Sequence, residues 1–309
     1  MDFSLTAEQE ALRREVRRML EGACPTTHVR ERRGRKDLDA ALWKRFVEMG
    51  LLAADVDALE LALCAEETGR ALAPVPWIAT RVAQAAIVEA GGQAPEGPPL
   101  ALVVEGEPLA LDAHVAERVV VGCPGRLCFA EQIDVEPVET IDFGRWLARF
   151  TVGACTPIGP HEPALSRARD LGAVLVAAEM CGAAGRGLEI ATAYAKERVQ
   201  FDRPIGSFQA VQHRLVEVWT RVESLRALVQ AAAWALGTRD RAASRLVSMA
   251  KAYAAWHVPA AMSAAIQVHG GIGFTFEHDI HLYYRRALVA APLFGGPAEH
   301  RDRLLAEIG

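Results

Sequence analysis

The 309-residue chain has no CxxC pair, no unbroken apolar run of membrane-spanning length and no excess of positive charge. Its six cysteines, Cys24, Cys64, Cys123, Cys128, Cys155 and Cys181, are scattered. In a chain of this size such spacing reads as reduced thiols, so neither a disulfide framework nor a metal-ligand set is expected. The longest apolar stretches are Ala-rich and interrupted, and no early apolar run follows a basic start. Neither a membrane span nor a signal peptide is therefore expected. Lys and Arg total 34 against 39 Asp and Glu, a formal charge of -5. That balance argues against nucleic acid or an anionic membrane as the main partner. There is no internal repeat and no low-complexity tract. A soluble cytoplasmic protein is the class left standing.

The chain exceeds one ordinary core, and its hydrophobic share of 51% suits a globular fold divided into two or three parts. From residue 1 to about 90 the apolar spacing is helical. Ser4 or Thr6 can cap a first helix with Leu12, Val16 and Leu20 on one face. Further helices are expected near Leu38 to Met49, Ala58 to Leu72 and Trp77 to Ala90, with Pro74 and Pro76 stopping the third. "GGQAPEGPP", residues 91–99, is a linker. Short runs rich in Val, Leu and Phe then predict a small antiparallel β unit over about 100–155, resting on the helical parts. From Pro163 the spacing predicts long helices to Arg198, from Phe208 to Leu236 and from Arg241 to Val268. Short ones follow Asp279 and Pro297. The expected fold is mainly α with a small β domain. Its divisions are an N-terminal helical domain over 1–95, a reduced β domain over 96–160 and a four-helix bundle over 161–309.

Two segments could carry chemistry. In "RVQFDRPIGSFQAVQHR", residues 198–214, Arg198 sits at a helix C-terminus, where a cation complements the helix dipole, and Pro204-Ile205-Gly206 makes an interhelix turn. The same residues suit a nucleotide: Arg198 offers a planar fork to phosphate, while Phe201, Phe208 and Gln209 line an adenine or ribose pocket. In "QVHGGIGF", residues 267–274, Gly270, Gly271 and Gly273 follow a helix directly and suit a C-cap. Alternatively the missing Cβ atoms let backbone N–H groups approach a phosphate, with Gln267 adding a donor. No strand precedes these glycines, so they are no Rossmann fingerprint.

Together "ERVQFDRPIGSFQAVQHRL" and "AIQVHGGIGFTFEHDIHLYYRRA" resemble the C-terminal domain of the acyl-CoA dehydrogenases. "MDFSLTAEQEALRREVRRML" and "EETGRALAPVPWIAT" resemble that family's first helical domain. The resemblance spans about residues 1–90 and 142–309, with two motifs in order. It implies an acyl-CoA dehydrogenase-like fold and FAD shared across a subunit interface. Arg198 and the segment Gln267, Val268, His269, Gly270 and Gly271 would hold the pyrophosphate and adenosine half of FAD, whose flavin lies in a neighbouring subunit.

The family's base, a Glu in a Tyr-Glu-Gly sequence, is replaced by Phe294-Gly295-Gly296. Where some members carry the Glu on the first long bundle helix, this chain has Gly172, with Asp170 two residues earlier and so on a different side of the helix. Glu179, Glu189 and Glu299 are not marked as bases, and the catalytic residue stays unassigned. The family's flavin-covering loop is missing between Leu100 and Thr151, and "GLLAADVDALELAL" replaces the usual Gly-Gly loop. This pattern resembles the base-lacking subunit of actinobacterial heteromeric acyl-CoA dehydrogenases, which degrade steroid side chains and related bulky acyl-CoAs. The resemblance implies a full-length partner subunit that keeps the base. The alternatives are a stand-alone chain turned to non-oxidative catalysis or scaffolding, and a homo-oligomeric dehydrogenase with another base.

Overall fold

Capping chemistry starts the first helix where the sequence puts it. In the computed structural model Thr6 Oγ1 accepts from the Gln9 N–H at 3.2 Å, and Gln9 Oε1 accepts from the Thr6 N–H at 3.1 Å. This reciprocal box satisfies two donors that a helix start leaves open. The structure describes residues 4–53 and 56–308. Residues 54 and 55 of the "GLLAADVDALELAL" stretch, and the first three residues of the N-terminal motif, lie outside them.

In chain order the helices are α1 (Ala7–Ala23), α2 (Thr26–Glu31), α3 (Ala40–Glu48), α4 (Ala58–Ala71) and α5 (Trp77–Glu89). Seven strands follow: β1 (Leu100–Val104), β2 (Ala110–Leu111), β3 (Arg118–Cys123), β4 (Arg126–Ala130), β5 (Ile133–Glu139), β6 (Trp146–Val152) and β7 (Cys155–Pro160). Then come α6 (Glu162–Glu197), the two-residue strands β8 (Val199–Gln200) and β9 (Arg203–Pro204), α7 (Gln209–Gly237), α8 (Ala243–His269), α9 (Ile280–Ala290) and α10 (Pro297–Ile308). Contacts divide the chain into two units built from non-consecutive segments: residues 1–21, 62–73 and 173–309, and residues 22–61 and 74–172.

The second unit holds the sheets. One has the order β1-β3-β4-β7 and the other β2-β6-β5. The expected all-antiparallel unit is corrected by one ladder, because β1 pairs with β3 in parallel, Leu100 facing Arg118 and Val104 facing Gly122. A parallel partner requires a crossover, and residues 105–117 supply it with β2 and a short 3₁₀ turn. β7 was hidden in the sequence by Pro157, Gly159 and Pro160; it pairs with β4 through a register shift between Leu127 and Cys128. The β1-β3 edge leans on α5. The buried Thr80 hydroxyl accepts from the Leu100 N–H at 3.0 Å and donates to the Leu100 carbonyl at 3.3 Å. Gln84 Nε2 donates to the Leu52 and Pro95 carbonyls, tying α5 to the segments on either side of it.

The first unit is the bundle. α6 is long and apolar enough to cross a membrane by length and composition, but its most apolar stretch is 83% buried within the protein. That makes it a core helix, as its alanines suggest. Two glycines let α4 and α6 cross with their backbones in contact. A Cβ on Gly69 would lie 1.9 Å from the Glu179 carbonyl oxygen, and one on Gly182 would lie 1.7 Å from that of Glu66. Neither position tolerates alanine. Around this crossing sit ion pairs: Arg17 with Glu67 in a two-pronged contact, Arg226 with Glu66 at 3.0 Å, and Arg286 with Glu179 at 2.8 Å. The last pair is fully buried at both ends, and Arg286 also donates to the Leu72 carbonyl.

Candidate functional site

α6 ends at Glu197, and the Arg198 N–H still donates to the Tyr194 carbonyl at 2.8 Å. Arg198 therefore stands at the negative end of the helix, exposed. The chain reverses at once through β8 and β9. Phe201 and Asp202 occupy the two turn positions with φ of 54° and 64°. A two-residue turn with both residues left-handed matches strand twist but costs a non-glycine residue energy. Phe201 is 86% exposed and meets Phe208 edge-on with ring centroids 6.0 Å apart. The Arg203 guanidinium covers the Phe208 ring at 4.0 Å. Gly206 lets the turn lie against α6, where a Cβ would come within 2.9 Å of the Ala195 carbonyl.

α8 ends at His269, and Gly270, with φ of 63°, turns the chain out of the helix. A Cβ on Gly270 or Gly271 would meet nothing within 4 Å, so backbone at both is open. Gly273 differs: its Cβ would lie 2.7 Å from the Ile266 carbonyl, so this glycine is required by packing. Val268 and His269 are buried, and their side chains do not line the open face. His269 Nδ1 lies 2.8 Å from the Ala265 carbonyl, which can only accept, so Nδ1 carries the proton. Nε2 is then a buried acceptor with no partner among the described residues. Burial pushes this imidazole below its ordinary pKa, and neighbouring His278 adds to the effect against the Ala265 bond.

The His269 ring joins the two sequence motifs. It stacks on Tyr194 with centroids 4.6 Å apart and lies 4.3 Å from the His278 ring. Tyr194 is one turn before Arg198, and Gly270 directly follows His269, so the two segments meet at one end of the bundle. Arg198, Gln209 and Gln267 are exposed, and their side chains have no hydrogen-bond or ion-pair partner among the described residues. Sequence reading missed the Tyr194–His269 stack, since an aromatic three residues before the end of a 36-residue helix looks like ordinary filling.

The carboxylates are engaged elsewhere. Glu179 is held by Arg286. Glu189 receives both Arg70 nitrogens, at 2.5 and 2.6 Å, and Arg186 at 3.0 Å. Burial opposes its charge, but those three bonds hold its pKa below the ordinary value. Asp170 is buried, and Glu299 is exposed in the first turn of α10. The turn replacing Tyr-Glu-Gly is held by hydrogen bonds to its carbonyls. Phe294 and Gly295 have φ of 54° and 100°, and a Cβ on Gly295 would stand 2.6 Å from His300 Nε2. His300 Nε2 donates to the Phe294 carbonyl at 2.9 Å, and buried Lys251 donates to the Ala291 and Gly295 carbonyls at 2.6 and 3.0 Å. Burial pushes the Lys251 ammonium down to about 8, only partly offset by Glu299.

Residues 6–106 match the family model "Acyl-CoA dehydrogenase, N-terminal domain" and residues 164–308 match "Acyl-CoA dehydrogenase, C-terminal domain". The chain is 33% identical over 320 residues to "Acyl-CoA dehydrogenase IpdE2" of Mycolicibacterium smegmatis, covering 98% of this chain and 100% of that protein. Among solved structures it is similar to a variant of the "Tcur3481-Tcur3483 steroid ACAD", with a TM-score of 0.88 at 24% identity and 97% coverage of both chains. It is also similar to the "ChsE4-ChsE5 complex" of Mycobacterium tuberculosis, with a TM-score of 0.87 at 24% identity, covering 100% of this chain and 99% of that one. The chain belongs to the acyl-CoA dehydrogenase family. The family is flavin-dependent, and FAD is its cofactor.

Proposed function

We propose that this chain is one subunit of a heteromeric, FAD-dependent acyl-CoA dehydrogenase that works in the cytoplasm on a bulky acyl-CoA of steroid side-chain type. One observation carries the reading. The turn at Phe294-Gly295-Gly296 has no carboxylate, and Gly295 has no room for a side chain, while the Arg198 and Gln267 end of the bundle keeps its polar groups free among the described residues. A full-length partner subunit then supplies the base that removes the α-proton.

The donor set fits the pyrophosphate and adenosine half of FAD. Arg198 supplies an unpaired guanidinium for phosphate, and Gln267 with the open backbone at Gly270 and Gly271 supplies neutral donors. Phe201, Phe208 and Gln209 give an apolar wall with an amide edge. Val268 and His269 contribute backbone only, with His269 fixing the height of the glycine turn against Tyr194. Bound there, FAD would supply the hydride acceptor for the β-carbon of the acyl group. The rest is positioning by this chain. Related proteins support the assignment: IpdE2 is an acyl-CoA dehydrogenase by name, and the two similar structures are of a steroid enzyme and of a two-component complex.

The test is co-expression with a full-length family member that carries Tyr-Glu-Gly. The expected result is a stable complex containing flavin and active on a bulky acyl-CoA, while the single chain is colourless. A single chain that is bright yellow, with one FAD per chain and its own turnover, would sink the proposal.

A further inference from the structure

Three of the six cysteines meet on one face of the β1-β3-β4-β7 sheet. β3 ends on Cys123, β4 carries Cys128 and β7 begins with Cys155. Val121 faces Cys128 and Ala130 faces Cys155 in the ladders. Residues two apart on a strand share a face, so all three thiols project to the same side. Their Sγ atoms lie within 4.8 Å of one another, and all three are free thiols. Cys123 and Cys128 are buried against Val103, Val121 and Ala148, whereas Cys155 is half-buried. Beside them opens a cavity of about 460 Å³ lined by Glu105, Cys123, Arg126, Val152, Gly153 and Cys155.

Two other uses of such a cluster fit poorly. A nucleophilic thiol must be a thiolate near neutral pH, but burial pushes Cys123 up to about 12 and raises Cys128 as well. A disulfide needs Cβ atoms about 3.5–4.5 Å apart, and diagonal positions such as Cys123 and Cys128 place them nearer to about 7 Å. Convergent sulfur atoms with a side route to solvent are instead what a thiophilic cation requires.

We propose that Cys123, Cys128 and Cys155 form a three-thiolate site for a divalent d¹⁰ ion of the zinc class, with the fourth coordination position facing the cavity. Each thiol passes its proton to solvent as its sulfur–metal bond forms, and no electrons change hands. Three thiolates and a divalent ion leave one negative charge, which Arg126 at the cavity wall offsets; its positive charge already acts on Cys128. Metal–sulfur bonds of about 2.3 Å put tetrahedral sulfurs about 3.7 Å apart. The cluster must therefore contract by no more than about 1 Å, within reach of side-chain rotation.

The experiment uses the full chain, reduced with a phosphine and stripped of metal. It is titrated with Zn(II) against a chromogenic chelator and with Co(II), whose thiolate charge-transfer absorption counts sulfur ligands. One ion per chain is expected, with cobalt absorption of three thiolates. Cys155→Ser, at the half-buried position, should weaken zinc at least tenfold, and Cys24→Ala should leave it unchanged. Thermal melting of Cys155→Ala without metal checks the fold, and zinc should raise the melting temperature of the parent chain but not of this variant. No zinc binding at micromolar concentrations, or equal binding by the parent and Cys155→Ser, overturns the site.

Discussion

The Lys251 ammonium on α8 donates to the Gly295 carbonyl at 3.0 Å, so a buried cation clamps the turn that has no carboxylate. Its pKa falls from 10.5 to about 8 because burial penalises the charged form. Between about pH 8 and 10.5 the unfolded chain holds a proton here that the folded chain has lost, so this lysine makes stability rise with pH across that window. Below pH 8 both states are protonated and the contribution is gone. The buried thiols Cys123, Cys128 and Cys181, with raised pKa values, oppose the trend above pH 9. The readout is therefore a difference. Melting curves from pH 7.5 to 9.5 should rise more steeply for the parent chain than for Lys251→Met, by at most about 1.4 kcal/mol per pH unit.

Gly295→Glu should not restore a base. A side chain at φ of 100° is strained, and its Cβ would press on His300 Nε2. Those effects together cost about 1–3 kcal/mol, and the expected result is a lower melting temperature with no α-proton exchange by the single chain. Gly295→Glu with His300→Ala removes the collision and should recover part of the stability. Acyl-CoA α-proton exchange by either variant alone would contradict the proposed reliance on a partner.

Arg198→Ala should leave folding intact, because the exposed guanidinium has no partner among the described residues. In the complex it should weaken FAD retention roughly 10- to 100-fold, the equivalent of about 1.5–3 kcal/mol for a charge-assisted phosphate contact. Flavin content after dialysis, read beside the melting temperature, separates the two roles. Early melting with flavin retained would mean that Arg198 caps α6 and does nothing for the cofactor.

Breaking the Glu179–Arg286 pair should be costly. Arg286→Met leaves a carboxylate without its cation in the bundle core, and buried pairs broken at one end lose about 3–5 kcal/mol. Replacing both, Glu179→Leu with Arg286→Met, should recover much of that loss in chemical denaturation. If the double variant assembles with a partner, turnover should stay within about tenfold. A general base contributes about 10²–10⁴, so a loss of that size with FAD bound would make Glu179 catalytic.

Much of this architecture was legible because helices announce themselves locally. Thr6 with Gln9, the prolines at 74 and 76, and Gly270 mark ends that the structure keeps within two residues. α2 was missed since its six residues, "TTHVRE", make too short a period to read. Parallel pairing of β1 with β3 was illegible because hydrophobic alternation gives strand existence but not direction. At the candidate site, Arg198 and the glycines stand out by residue type, whereas the packing of His269 involves Tyr194, 75 positions away in the sequence. The cysteine cluster left no sign either. Gaps between Cys123, Cys128 and Cys155 match no ligand spacing, and only the sheet register closes them.

The backbone crossing of α4 and α6 bears on how the chain is made. Residues 66–70 leave the ribosome more than a hundred residues ahead of the strand of chain they must touch, as the 119-residue separation of Arg70 and Glu189 records. Glu67 can already meet Arg17 of α1, but until α6 emerges Gly69 has no backbone to pack against, and Arg226, the partner of Glu66, lies on α7 and comes later still. α4 therefore cannot reach its final packing until α6 has been made, unlike a helix of a unit closed from neighbouring sequence. Any partner subunit meets this protein as a product of late, long-range closure.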